Sequence, residues 1–498
     1  MVLVLFFALI LVASVFVPQY IVILLVLNLL TGLFLSIIQI GIALLPHFKP
    51  KRKDGIGQPF VSILVPAYNE PPAVLMQTIE TLSQLKYDQF EVLIIDNNTK
   101  DEAVWRPVAR FVNTLGSRFR FFHKGHLDGF KAGALNYLLE RLDKRSEYVA
   151  VLDADYLVRE DFLTTALSYF SDNKVALVQF PQQYRNRIPE NQPIADEYRH
   201  FFGIYMNMAN HLDCVPSTGT VSVYHLPVLQ RIGGFRGEAL TEDADVGLRI
   251  YAAGFRGIYV DQPIGNGLMP YDLEAYRSQK WRWAFGNAQS LKTLFTLFGK
   301  IPFISWAGFL SHLTAWHHFH FLPFAALAAF PFILLPIIPI TAEHREVLIF
   351  AALSIFVTMA AKLVLFMVTL HRQDGTIMQA FKAFVVHMGM TLVYSEALLA
   401  FLFQMKSVFV RTNKFILVKM PSLLKNSYGE LALGLWYAVG AVAALLYGES
   451  SMVVAFIMAA SALLSIYYIH LKISPTKAYS KKIMEEAERK YQSYMELD

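Results

Sequence analysis

Two apolar runs open the chain, residues 2–17 (VLVLFFALILVASVFV) and 21–46 (IVILLVLNLLTGLFLSIIQIGIALLP), divided by Pro18-Gln19-Tyr20. Each approaches the ~20 residues that cross a bilayer. The first lacks the basic n-region of a secretory signal, and no polar segment follows it, so residues 1–46 are expected to form a transmembrane hairpin. From about residue 302 the chain turns apolar again. Six more spans are expected within 302–470, near 302–320, 322–340, 347–370, 378–404, 431–447 and 450–470. A length of 498 residues with 55% hydrophobic and only 17% charged side chains agrees with one soluble domain held among membrane helices.

Charge then orients the chain. His47-Phe48-Lys49-Pro50-Lys51-Arg52-Lys53 follows the second run, and the positive-inside rule places residues 54–285 in the cytoplasm. With eight spans, the basic loop 405–426 and the charged tail 471–498 also fall inside, which makes a multi-pass protein of the plasma membrane the expectation. The net charge of +5 is accounted for by basic residues flanking spans, and no nucleic-acid partner is expected. Cys214 is the single cysteine, so neither an intramolecular disulfide nor a cysteine metal site follows; the 14 histidines lack ligand spacing. Leu291, Leu294, Phe295 and Phe298 recur at helical spacing beside Lys292 and Lys300, which predicts an amphipathic helix over 286–300, on the membrane or in a soluble core.

Between the apolar blocks, short apolar runs alternate with amphipathic stretches. Val61–Val65, Phe90–Ile95, Phe119–Phe122 and Tyr148–Leu152 read as strands, with helices over 72–85, 101–115 and 129–142. Such alternation predicts a doubly wound, mostly parallel α/β sheet, whose ligands sit beyond the carboxyl ends of the strands. Tyr68-Asn69-Glu70, Asp96-Asn97-Asn98 and Asp153-Ala154-Asp155 each follow an expected strand.

Four segments carry chemistry-bearing residues, each with a plainer reading. Asp153 and Asp155, two positions apart, can offer oxygen ligands to a divalent cation on a diphosphate, yet acidic pairs are common in loops. Lys131, between Gly129 and Gly133 at a helix start, suits phosphate as well as it suits solvent. Glu242, Asp243 and Asp245 follow Thr241 and a Gly-rich turn, as general bases or as the acidic first turn of a capped helix. Gln279-Lys280-Trp281-Arg282-Trp283 offers indole faces for sugar rings and a guanidinium for phosphate, or forms an interfacial aromatic belt. The same two readings apply to Trp316-His317-His318-Phe319-His320-Phe321: a sugar path or a belt.

Taken in order, Pro66-Ala67-Tyr68-Asn69-Glu70, Asp96, Lys131-Ala132-Gly133, Asp153-Ala154-Asp155, Thr241-Glu242-Asp243 and Gln279-x-x-Arg282-Trp283 resemble the D, DxD, TED, QxxRW series of family 2 glycosyltransferases of the cellulose-synthase type. Ile95–Lys100, Gly129–Asn136 and Gly267-Leu268-Met269-Pro270 look most like the bacterial β-1,3/β-1,6-glucan synthase branch. The resemblance implies a GT-A domain inserted between transmembrane helices and a UDP-sugar donor, with UDP-glucose expected. Tyr68, Glu70 and Asp96 would hold the uridine and Lys131 the diphosphate. Asp153 and Asp155 would place Mg2+ or Mn2+, and Asp243 would be the catalytic base. Gln279, Arg282 and Trp283 would hold the glycan acceptor and the diphosphate, and Phe409–Lys414 resembles the family's gating loop. Pro216-Ser217-Thr218-Gly219-Thr220 stands where the family has F-x-C-G-S, and only the tail from Thr476 follows the spans. Transfer to a growing β-glucan with secretion of the polymer is the expected activity. The alternatives are single-sugar transfer to a lipid, and a transporter whose α/β domain merely binds nucleotide.

Overall fold

A computed structural model describes residues 2–53, 57–170, 172–238, 240–316, 321–330, 341–405 and 423–495. The four expected strands form as β1 (Phe60–Ala67), β2 (Phe90–Asn97), β3 (Phe119–Lys124) and β4 (Ser146–Val151). They are joined by β5 (Leu157–Val158), β6 (Val175–Gln179), β7 (Ser222–His225), β8 (Arg256–Tyr259) and β9 (Gly265–Asn266). The main sheet runs β3-β2-β1-β4-β7-β6-β8, while β5 and β9 form a small antiparallel pair. β7 alone in the main sheet is antiparallel to its neighbours β4 and β6. The order steps outward from β1 in both directions, so a crevice opens where β1 and β4 part, as in doubly wound folds.

Local chemistry explains the connections. The helix Glu102–Asn113 starts where the Asp101 side chain accepts the Ala103 N–H at 2.9 Å. The helix Phe130–Leu139 starts at Gly129, whose φ of 81° favours glycine. Gly133 is equally constrained, because a Cβ there would sit 1.8 Å from the Asp128 carbonyl oxygen. Val61, Ile63 and Val65 pack on one face of β1, and Leu64 on the other joins Leu135 and Leu138. Both faces of the sheet are therefore covered, as a parallel sheet requires.

Among the described residues, four helices are long and apolar enough to cross a membrane: Pro18–Leu44, Ala342–His371, Ser427–Leu446 and Met452–Lys490. A fifth crossing results if Ile377–Met388 and Thr391–Leu402, bent by 44°, count together where 378–404 was expected to be one span. Residues 2–17 form the 15-residue helix Val2–Phe16, shorter than a full span, and 302–320 contains the 11-residue helix Phe303–Leu313. The expected span 322–340 is described only to residue 330, and Phe409–Lys414 lies outside the described residues.

Two expected boundaries differ. The amphipathic segment 286–300 is no separate element: its first turns complete the helix Leu273–Thr296, which runs on through Gly286, where a Cβ would meet Thr241 at 2.6 Å. The charged tail expected from residue 471 is not set off from the last apolar segment: Met452–Lys490 runs as one helix whose end lies against the α/β domain.

Candidate active site

The ends of β1, β2 and β4 and the loop after β6 converge on one cleft of about 670 Å³, within the usual range for ligand sites. Tyr68, Glu70, Lys131, Asp153, Asp155, Asp243, Gln279, Arg282 and Trp283 all line it. Asp96 does not. It is 2% exposed, and its Oδ2 accepts the Thr99 hydroxyl at 3.0 Å. Thr99 Oγ1 in turn accepts the backbone N–H of Asn69 at 2.8 Å, where φ is 51°. Asp96 thus braces the turn that presents Tyr68 and Glu70.

Lys131 reaches across the cleft floor from the first turn of its helix. Its Nζ lies 2.5 Å from Asp153 Oδ1 and donates to the Gly219 carbonyl at 2.8 Å. The Asp153 amide donates to Thr220 Oγ1 at 3.0 Å, so the segment Pro216–Thr220 fastens the DxD loop. Asp155 is 3% exposed and its Oδ2 accepts the Leu268 N–H at 2.8 Å.

Glu242, Asp243 and Asp245 occupy the first turn of the helix Glu242–Ala252, and Thr241 is its cap residue without a side-chain capping bond. Helical geometry then separates the three acids. Glu242 and Asp243 line the cleft, whereas Asp245 turns away to Arg249 Nε at 2.6 Å and Thr293 Oγ1 at 3.1 Å.

The helix Leu273–Thr296 divides the aromatic pentad in the same way. Gln279, Arg282 and Trp283, spaced i, i+3 and i+4, face the cleft. Lys280 is fully buried on Glu197 at 2.5 Å, and Trp281 stacks on Phe285 at 4.9 Å. Gln279 accepts the Tyr198 hydroxyl, and Trp316 packs beside Trp283 with ring centroids 5.4 Å apart. The pentad and Trp316 therefore belong to a protein cleft and its packing rather than to an interfacial belt; His317–His320 lie outside the described residues.

Burial holds the Asp243 carboxyl above the usual carboxylate range, against the pull of Lys131. Burial and the neighbouring Asp243 push Glu242 up to about 7. Burial disfavours the Lys131 ammonium, yet the carboxylates of Asp153, Glu242 and Asp243 hold its pKa above the ordinary value. Burial lowers the Arg282 pKa against the same three carboxylates. Lys131 and Arg282 thus stand as cations among these acids, with Lys100 also lining the cleft, an arrangement suited to a ligand with negative phosphates.

Among the described residues no group of three or more His, Cys, Asp or Glu side chains could cage a metal. The donor set of Asp153 and Asp155 nevertheless fits a hard divalent cation that takes its remaining ligands from water and a diphosphate. Gln182, Tyr184 and Thr218 also line the cleft, outside the motif series. Their signal is the same as for the others: Gln182 and Tyr184 follow the apolar run Val175–Phe180, a sixth strand end.

Sheet order and the switch-point cleft define a GT-A-like α/β domain. Residues 62–233 match the family described as Glycosyl transferase family 2, and residues 148–369 match Glycosyl transferase family group 2. The chain is 27% identical over 272 residues to the UDP-forming cellulose synthase catalytic subunit of Xanthomonas axonopodis pv. citri, covering 53% of this chain and 36% of that one. It is 27% identical over 240 residues to the UDP-forming cellulose synthase 1 catalytic subunit of Komagataeibacter xylinus, covering 46% and 31%. The matches thus span about a third of the length of these curated relatives. Among solved structures, the mannosyltransferase PcManGT of Pyrobaculum calidifontis, in complex with GDP-Man and Mn2+, shares the fold. Its TM-score is 0.51 at 19% identity, over 78% of this chain and all of that one. The chain is thus similar to family 2 glycosyltransferases, and its curated matches are of the cellulose-synthase type.

Proposed function

We propose that the protein is an inverting, UDP-sugar-dependent β-glycosyltransferase that extends a β-glucan, with UDP-glucose as donor. The observation that carries this reading is the convergence of Asp243, Lys131, Asp153 and Arg282 on one cleft at the strand ends. The UDP-forming names of the relatives support the choice of donor.

In this reading Asp243 takes the proton from an acceptor hydroxyl, and its raised pKa makes it a stronger base than a solvated carboxylate. The hydroxyl oxygen attacks the anomeric carbon of an α-linked donor as the bond to UDP breaks, which inverts the centre to β. Lys131 and Arg282 meet the charge that develops on the leaving diphosphate. Tyr68 and Glu70 bind the uridine from above the turn that Asp96 braces. Gln279 and Trp283 hold the acceptor ring, the indole against its apolar face. Asp153 and Asp155 would hold Mg2+ or Mn2+, which supplies Lewis-acid neutralisation of the diphosphate when bound.

The domain organisation belongs to the same proposal. The α/β domain lies on the cytoplasmic face of the plasma membrane, lipid surrounds the apolar helices, and the polymer is translocated among them. The resemblance of Ile95–Lys100 and Gly129–Asn136 favours a β-1,3/β-1,6-glucan product. A donor screen on purified protein, with linkage and length analysis of the product, tests all of this. UDP release with polymer growth supports the reading. A single-sugar lipid product rejects processivity, and no UDP release from any UDP-sugar rejects the enzyme.

A further inference from the structure

The helix Pro475–Lys490 continues the last apolar segment and comes to lie against the helix Pro72–Ser83 of the α/β domain. Three kinds of contact fasten it there. At its far end Lys490 Nζ and Tyr491 OH both reach Glu80 Oε2, at 2.5 and 2.6 Å, while Tyr491 and Tyr494 pack edge-on against Phe111. In its middle, Ile483 and Met484 cover the buried pair Val74 and Leu268. On its inner face, Ser480 Oγ and Thr476 Oγ1 accept the side-chain amides of Asn186 and Asn191 at 3.1 and 2.8 Å.

Asn186 is fully buried and uses both ends of its amide. Its Nδ2 donates to Met269 O at 3.0 Å as well as to Ser480, and its Oδ1 accepts the Met269 N–H at 2.8 Å. That clamp fixes the backbone at Met269, and the preceding amide, Leu268 N–H, is the one that donates to Asp155 Oδ2. The Leu268 side chain is held by Ile483 and Met484 of the same helix. A carboxylate aimed by a fixed backbone donor is preorganised for a cation, and removing such outer partners costs roughly 10–100-fold in metal affinity. A merely solvated charged tail would need none of these buried amide and apolar contacts.

We propose that Asn186 and the helix Pro475–Lys490 are positioning elements for Asp155, so that docking of this helix sets the cleft's affinity for a divalent cation bound with a diphosphate. The inference rests on Asp155 being a cation ligand in the proposed function. It also ties the donor side of the cleft to the last membrane helix through one continuous helix.

The test uses the full-length protein in detergent and titrates Mn2+ against UDP binding by calorimetry, alongside turnover. Asn186→Leu keeps the volume and removes every amide bond; Ile483→Asp undocks the helix from outside the cleft. Both are expected to raise the half-saturating Mn2+ roughly 10–100-fold, with turnover restored at saturating Mn2+ and the acceptor KM unchanged. A folded variant that loses turnover with unchanged Mn2+ dependence overturns the inference, because a purely structural role behaves that way. Unchanged Mn2+ dependence with full turnover overturns it too. Ile483→Asp decides the matter if Asn186→Leu fails to fold. Asp155→Ala separates the two levels: if it binds UDP and Mn2+ like the parent, the donor-site reading itself fails; if it loses them while both positioning variants keep them, only this inference falls.

Discussion

A Cβ atom on Gly219 would stand 2.6 Å from Asp243 Oδ2, and Gly219 has a φ of 77°. The residue facing the proposed base therefore has two reasons to be glycine, one conformational and one steric. Gly219→Ala is expected to displace the Asp243 carboxylate and cut kcat about tenfold or more, while the left-handed backbone strain costs roughly 1–2 kcal/mol of stability. Steady-state kinetics beside a thermal melt reads both; unchanged kcat would remove Asp243 from its role.

Asp243→Asn keeps the shape of the side chain and removes the base. Transfer should fall about 10²–10⁴-fold, while UDP binding is retained in calorimetry. Full activity in this variant would sink the assignment.

The pH profile follows from the raised carboxyls. As the proposed base, Asp243 would act only when ionised, and burial lifts its pKa, so kcat/KM should fall on acidification through a pKa above the ordinary Asp value of about 3.9. Glu242 and Asp243 repel one another when both are ionised. That repulsion is borne by Glu242, which stays protonated while Asp243 titrates at lower pH, so Glu242→Gln should leave the acid limb in place. A limb that shifts in this variant would show that Glu242, not Asp243, sets it.

Chelation should suppress transfer, with recovery on adding Mn2+ or Mg2+. Asp153→Ala is expected to raise the metal requirement and to free Lys131 from its ion pair. Activity of the parent enzyme undiminished by a chelator would exclude a catalytic cation.

Lys280 and Glu197 form an ion pair with no solvent exposure, which Tyr276 OH also joins at 3.0 Å. Breaking such a pair from one side leaves a buried charge and costs about 3–5 kcal/mol. Lys280→Met should show that loss in detergent unfolding, and adding Glu197→Gln should recover part of it. Additive losses in this double-mutant cycle would deny the coupling.

The strand-end rule made much of the cleft legible in the chain itself. Runs such as Val61–Val65 and Phe90–Ile95 are apolar because both sheet faces are covered, and polar residues can follow only where the sheet ends. Tyr68, Glu70, Asp153 and Asp155 were readable for that reason. Asp96 obeys the same rule, yet its side chain went beneath the turn to Thr99, because a strand-end residue can point to either side. Gln182 and Tyr184 escaped because β6 is a short apolar run without a recognised motif behind it.

Local pattern alone determined the apolar segments, the alternation of the α/β domain and the chemical types gathered at its strand ends, since each depends on neighbours a few residues away. Tertiary structure decided the rest: that Asp243 rather than Asp245 enters the cleft, that Lys280 is buried while Arg282 lines the cavity, and that Ser480 meets Asn186 across 294 residues of chain. Periodicity says which residues share a face, but only packing against distant segments says what that face will meet.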